Sequence, residues 1–253
     1  MRLQGCWQRA ITLFLLGAGL ASSVGCLSVV HGIDPAKVEM YEPGPDVGPC
    51  ARDHVHVFFR NGLHAAGLAN LTGLRDYVQG LGYCHTYYAE LCSHPDFASE
   101  IRKIHECDPH AHFVLVGFSF GANMMRNVAQ SVREDGITID LLFYMGANTL
   151  RNVPDDQPDN VCRIINVLAD GCIWNGDTMD RAENIHVDGV WHFGSPSHPQ
   201  TLEALTRELA VVAATASADQ SAPPSPRAQA RRNATVGVML LPDGGSTTAG
   251  GTR

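Results

Sequence analysis

Charge is scarce in this sequence, and what there is leans acidic: charged residues fill 17% of 253 positions, with a formal net charge of -8 at pH 7. So little positive charge argues against nucleic acid or an anionic membrane surface as the partner. No C-x-x-C pair occurs, which counts against a structural zinc site and against a dithiol redox protein. Beyond the N-terminal region no run is long and apolar enough to cross a bilayer. No internal repeat is visible. What is present is a 45% apolar share, enough for the packed core of one large domain or two small ones.

The two ends differ from the middle. Arg2 and Arg9 precede an apolar run from Ala10 to Ala21, the build of a secretory signal and too short for a spanning helix. It closes with Ser23-Val24-Gly25-Cys26, which resembles the lipobox of bacterial lipoproteins, although Leu is usual where Ser23 stands. That resemblance implies export, removal of residues 1–25 and lipidation of Cys26, which would attach the protein to the membrane of the cell envelope. Ordinary cleavage near Ala21, giving a secreted protein, is the alternative. Residues 26–50, rich in Pro and Gly, read as an extended lead-in. Residues 213–253 are dominated by Ala, Ser, Pro, Gly, Thr and Arg, and are expected to be a disordered tail.

Between them, residues 51–212 alternate strand-like and helix-like segments. Strands are expected at His54–Phe59, Cys84–Leu91, His112–Val116, Ile139–Met145, Arg163–Ala169 and Asn184–Val190. Helices are expected at Leu71–Leu81, His94–Glu106, Asn123–Glu134 and Thr201–Val212. Such alternation predicts an α/β fold with a mainly parallel sheet flanked by helices. No long insertion separates the late strands, so no large lid domain is expected.

Apart from Cys6 and Cys26, the cysteines are Cys50, Cys84, Cys92, Cys107, Cys162 and Cys172, and in an exported protein some disulfides are expected. Cys162 and Cys172 flank a strand, about 30 Å apart at ~3.3 Å per residue, and cannot pair with each other. Cys50 and Cys84 both precede strands expected to be neighbours, which makes them the best candidate pair.

The chemistry centres on one turn. Phe113-Val114-Leu115-Val116 runs into Gly117-Phe118-Ser119-Phe120-Gly121, and a helical pattern follows. A sharp strand-to-helix turn there would lift the Ser119 hydroxyl above the sheet, at a helix N-terminus whose free N–H groups suit an oxyanion. The stretch His112–Met125 resembles the nucleophile elbow of the α/β-hydrolase superfamily, its esterase and lipase branch in particular. The resemblance covers residues 51–212 loosely, and only the elbow and a C-terminal His segment match specifically.

That resemblance implies a general base after the last strand and an acid after the one before it. Of twelve histidines, this leaves His192, in Val187-Asp188-Gly189-Val190-Trp191-His192, ahead of His198. Asp170, at the end of Arg163–Ala169, is the favoured acid, and Asp177 and Asp180 in the same loop stay open. Asp140 begins a strand and is expected on the opposite edge of the sheet. The oxyanion hole would use the backbone N–H groups of Phe120 and Leu63. The family often has His-Gly before the second donor, whereas this chain has Asn61-Gly62-Leu63-His64; His64 could line the pocket.

The function implied is a serine hydrolase that cleaves a carboxylic ester or related acyl bond through an acyl-enzyme on Ser119, with no cofactor and no metal. Phe118 and Phe120 would flank an open cleft suited to a small-molecule or lipid ester with an apolar acyl chain. The other reading is a non-catalytic binding module on the same scaffold, kept open by Asn61-Gly62 and by the unsettled acid. Oligomeric state is not legible.

Overall fold

The computed structural model describes residue 33 and residues 49–62, 68–91, 96–147, 157–171 and 174–221. Cys26, Leu63, His64, Cys92 and Cys172 lie outside the described residues.

Strands rich in Val, Ile, Leu and Phe alternate with amphipathic helices, and the chain pairs every strand in parallel. The strands are β1 (Val55–Arg60), β2 (His85–Ala89), β3 (His112–Phe118), β4 (Ile139–Met145), β5 (Val161–Ala169) and β6 (Glu183–Val187). They form one six-stranded sheet in the order β2-β1-β3-β4-β5-β6. Every residue of β1 and β3 is buried, as expected for strands covered on both faces, while the edge strands β2 and β6 are largely half-buried. The expected fold class, a parallel sheet flanked by helices, is the one observed.

Side-chain alternation divides the core between the two faces. Val55, Val57, Phe59, Val114 and Val116 pack with Leu71, Leu74 and Val78 of helix α1 (Leu71–Gly80) on one face. On the other face, Phe58, Phe113 and Leu115 meet Ile101 of α2 (Phe97–Cys107) and Met125 and Ala129 of α3 (Phe120–Val132). Local chemistry sets the starts of α1 and α2. Asn70 accepts from Gly73 N–H at 3.2 Å, and Asp96 accepts from Ser99 N–H at 3.0 Å. Each cap is worth about 1 kcal/mol.

Two expectations are corrected. The last helix, α4 (Pro199–Ser221), runs past residue 213. Ala213 and Ala216 are buried against the sheet, and Asp219 lies 3.4 Å from the His112 ring, so the Ala-rich stretch is ordered by packing that composition does not reveal. The Cys50–Cys84 disulfide is not formed: Cys84, like Cys107 and Cys162, is a free and exposed thiol. No described helix is long and apolar enough to cross a membrane.

Candidate functional site

Ser119 stands between β3 and α3 with φ 55° and ψ -125°, a conformation that a residue with a side chain adopts only when its surroundings force it. Two glycines supply the force. A Cβ on Gly117 would lie 2.5 Å from Ala122 Cα, and one on Gly121 would lie 2.4 Å from Arg60 O. Strand, turn and helix therefore approach more closely than any other residue allows. The Ser119 N–H donates to Met145 O at 2.8 Å, which fixes the turn to the end of β4. The hydroxyl makes no capping bond to the helix it precedes.

The chain after β1 passes directly over this turn. A Cβ on Gly62 would be 2.7 Å from Ser119 Cβ and 3.0 Å from Phe120 N. Asn61 is buried, and its Oδ1 accepts from Gly62 N–H at 3.0 Å. Its Nδ2 donates to Tyr88 Oη at 3.1 Å and to Glu90 Oε2 at 3.3 Å. The departure from His-Gly thus has a structural role, because Asn61 locks the turn through Tyr88 and Glu90. Neither partner is visible as such in the sequence.

His192 opens a 3-10 turn, His192–Ser197, after β6. It is only 2% exposed. Its ring lies 4.7 Å from that of Phe118 and 5.1 Å from that of Phe193, with Trp174 edge-on at 6.1 Å. Phe118 is fully buried beneath this histidine, so it does not flank an open cleft as expected; Phe120 alone of the pair is exposed. The Nδ1–Cε1 edge of the imidazole rests on Gly146 (φ 58°), where a Cβ would lie 2.6 Å from both atoms. Because Met145 O holds Ser119 and Gly146 faces His192, serine and histidine share the Met145–Gly146 junction as their floor.

Burial lowers the His192 pKa to about 4, against a smaller opposing effect of a hydrogen bond to the Trp174 backbone. The ring is therefore neutral near pH 7, the state a general base needs. Its Nδ1 is buried and has no hydrogen-bond partner among the described residues. His198 instead caps the start of α4, its carbonyl accepting from Thr201 N–H at 2.9 Å and Leu202 N–H at 3.1 Å.

The structure brings Asp170 to His186 and not to His192. Its carboxylate lies on the surface, 3.3 Å from Nδ1 of His186, and that hydrogen bond lowers its pKa first, with Asp188 second. The reason is register. β5 pairs with β6 so that Leu168 faces His186 and Ala169 faces Val187, which delivers Asp170 to the edge strand. Asp140 lies at the start of β4, at the opposite end of the strands from Ser119, where it accepts from Phe113 N–H at 2.8 Å.

Asp177, whose side chain is exposed, lies on the loop that passes beside Ala147. Its N–H donates to Ala147 O at 3.3 Å, and a Cβ on the preceding Gly176 would lie 2.7 Å from that same oxygen and 3.3 Å from Gly146 C. The loop is held from below by Asn166, which is fully buried. Asn166 Nδ2 donates to Asp177 O at 2.9 Å and to Asn184 Oδ1 at 2.8 Å. Asn184 in turn accepts from Met179 N–H at 3.0 Å and donates to Met179 O at 2.9 Å. Sequence reading missed these two asparagines; an Asn inside an otherwise apolar strand was the available signal.

No group of three or more His, Cys, Asp and Glu side chains suited to a metal ion occurs among the described residues. No family model matches the chain, and no curated protein matches it. Solved structures do resemble it at low identity. The RedJ thioesterase of Streptomyces coelicolor is 13% identical, over 69% of this chain and 91% of that one, with a TM-score of 0.41. The NocB thioesterase domain of the nocardicin cluster is 14% identical, over 62% and 94%, with a TM-score of 0.39. A Trichoderma reesei cutinase is 14% identical, over 63% and 76%, with a TM-score of 0.35. These neighbours are hydrolases; a likeness this distant carries no argument about the chemistry of this chain.

Proposed function

We propose that this protein is a serine hydrolase in which Ser119 attacks the carbonyl carbon of an ester or related acyl bond. The observation that carries the reading is the convergence of a strained serine and a buried neutral histidine on the Met145–Gly146 junction. His192 takes the proton of the Ser119 hydroxyl as the Oγ–carbon bond forms. The Phe120 N–H, in the first turn of α3, stabilises the negative oxygen, with Leu63 N–H as second donor. The tetrahedral intermediate expels the alcohol, which takes the proton from His192, and leaves an acyl group on Ser119. Water, deprotonated by the same histidine, then releases the acid.

In this proposal Asp177 is the acid, its carboxylate, exposed on the loop, turning inward to reach His192. It follows Gly176, which abuts Gly146, and Gly146 abuts the unpaired Nδ1 of His192. A carboxylate at that nitrogen would hold the tautomer and stabilise the imidazolium. The proposal also includes export and attachment to the cell envelope through lipidated Cys26; a Cys26→Ala chain should leave the membrane fraction.

A fluorophosphonate probe tests the serine chemistry. Labelling of the folded wild type, lost in Ser119→Ala and in His192→Ala, is the expected result. A folded wild type that does not label would turn the reading toward a binding module.

A further inference from the structure

Four large apolar side chains are exposed among the described residues: Phe120 (41%), Trp174 (37%), Trp191 (39%) and Val211. The three aromatic ones all stand on segments that build the Ser119–His192 site. Phe120 follows Ser119, Trp191 precedes His192, and Trp174 meets His192 edge-on. The Trp174 and Trp191 segments are joined, since a Cβ on Gly171 would lie 2.7 Å from Trp191 Cα. Both indoles also pack edge-on against Phe193, at 6.3 Å and 5.1 Å.

Trp174 carries a further mark. Its φ of 59° is an outlier for so bulky a residue, and such strain persists only where surrounding structure or function imposes it. The strained backbone holds a partly exposed indole beside the site.

We infer that this aromatic rim seats the site on an uncharged or zwitterionic lipid–water interface, from which acyl chains reach Ser119. The inference rests on the proposed hydrolase and names its substrate class: esters presented by an apolar phase. Tryptophan suits that boundary, because its ring is apolar while its N–H can remain hydrated. Charge selects the kind of surface. The loops that carry the two indoles also carry the exposed Asp170, Asp180 and Asp188, with Arg181 their one cationic side chain among the described residues. An anionic membrane would repel such a rim, and the net charge of -8 acts in the same direction. A protein partner covering the rim would occlude Ser119, whereas a fluid interface delivers ester to it.

The sequence holds three tryptophans, Trp7, Trp174 and Trp191. The test uses the full chain with Ser119→Ala, Trp7→Phe and Cys26→Ala, so that no acyl-enzyme forms, no lipid anchor contributes and only the rim indoles emit. Phosphatidylcholine vesicles should shift its fluorescence to the blue, and brominated phosphatidylcholine should quench it. Trp174→Ser and Trp191→Ser, checked for folding by circular dichroism, should each weaken cosedimentation roughly tenfold, the scale of withdrawing one large apolar side chain. Phe at either position should restore most of it. Absence of both shift and quenching overturns the inference, as does equal or stronger binding to phosphatidylglycerol vesicles. Hydrolysis of dissolved p-nitrophenyl butyrate by the unmodified chain tests Ser119 separately. Vesicle binding without that hydrolysis would sink the hydrolase reading and, with it, the ester delivery inferred here.

Discussion

Gly146 lies flat against the Nδ1–Cε1 edge of His192, with no room between them for even one carbon: a Cβ there would sit 2.6 Å from both ring atoms. With Phe118 against one face of the ring at 4.7 Å, this contact sets where the imidazole points. The glycine also has φ 58°, so its replacement strains the backbone as well.

Gly146→Ala should therefore displace the ring and lower kcat about a hundredfold, the usual effect of an ångström-scale misplacement. KM should change less than kcat, because the substitution falls on the base. The strained φ adds about 1 kcal/mol of destabilisation. Steady-state kinetics beside a urea melt separates the two effects; wild-type kcat in the variant would mean that His192 is not the base.

The acid is decided by a pair of variants. Asp177→Asn should lower kcat by up to ~10⁴-fold, the scale of losing a carboxylate behind a catalytic imidazole. Asp170→Asn should stay close to wild type, because Asp170 is committed to His186 at 3.3 Å. The reverse pattern would restore Asp170 as the acid.

Burial holds the His192 pKa down at about 4, so the imidazole is neutral from mildly acidic pH upward. The acid limb of kcat/KM should fall near pH 4, well below the ordinary histidine value of 6.5. The same shift affects stability. Between about 4 and 6.5 the unfolded histidine binds a proton that the folded one refuses. Its contribution is complete above 6.5 and is lost as pH falls through about 4. His56, lowered to about 4 by its burial first and by His85 second, adds to the same loss. Denaturant melts at several acidic pH values, with His192→Gln as control, should show this slope diminished in the variant.

His112 behaves in the opposite sense. Its Nδ1 is 2.8 Å from Asp140 and its Nε2 is 3.4 Å from Asp219, a clasp that ties the end of α4 to the start of the sheet. Burial opposes the charge, but the hydrogen bond and the charge of Asp140, then the charges of Asp219 and Asp108, raise the pKa above 6.5. This stability is fully present below 6.5 and is lost as pH rises through the higher folded value. Asp219→Asn should flatten the loss above pH 6.5, and should increase amide exchange in the last turns of α4. An unchanged slope would mean that the Asp219 contact contributes nothing.

The order of strands and helices was legible because each element is a local matter, set by apolar periodicity and by caps such as Asn70 and Asp96. The elbow was legible for the same reason: strand, Gly-x-Ser-x-Gly and helix are contiguous, and Gly117 and Gly121 are required by neighbours close in the turn. The buried Phe118 was misread, since a residue beside Ser119 can point up to the cleft or down to the core. The end of α4 was misread because composition does not say which alanines face a sheet.

Sequence alone thus determined the elements, their alternation and a serine at a strained turn, all of which depend on residues a few positions apart. Tertiary structure decided which distant side chains meet. The pairing of β5 with β6 sent Asp170 to His186, and the ends of β3 and β4 brought Ser119 and His192 onto one junction. Such contacts depend on strand register, and a shift of one residue turns a side chain to the opposite face of the sheet.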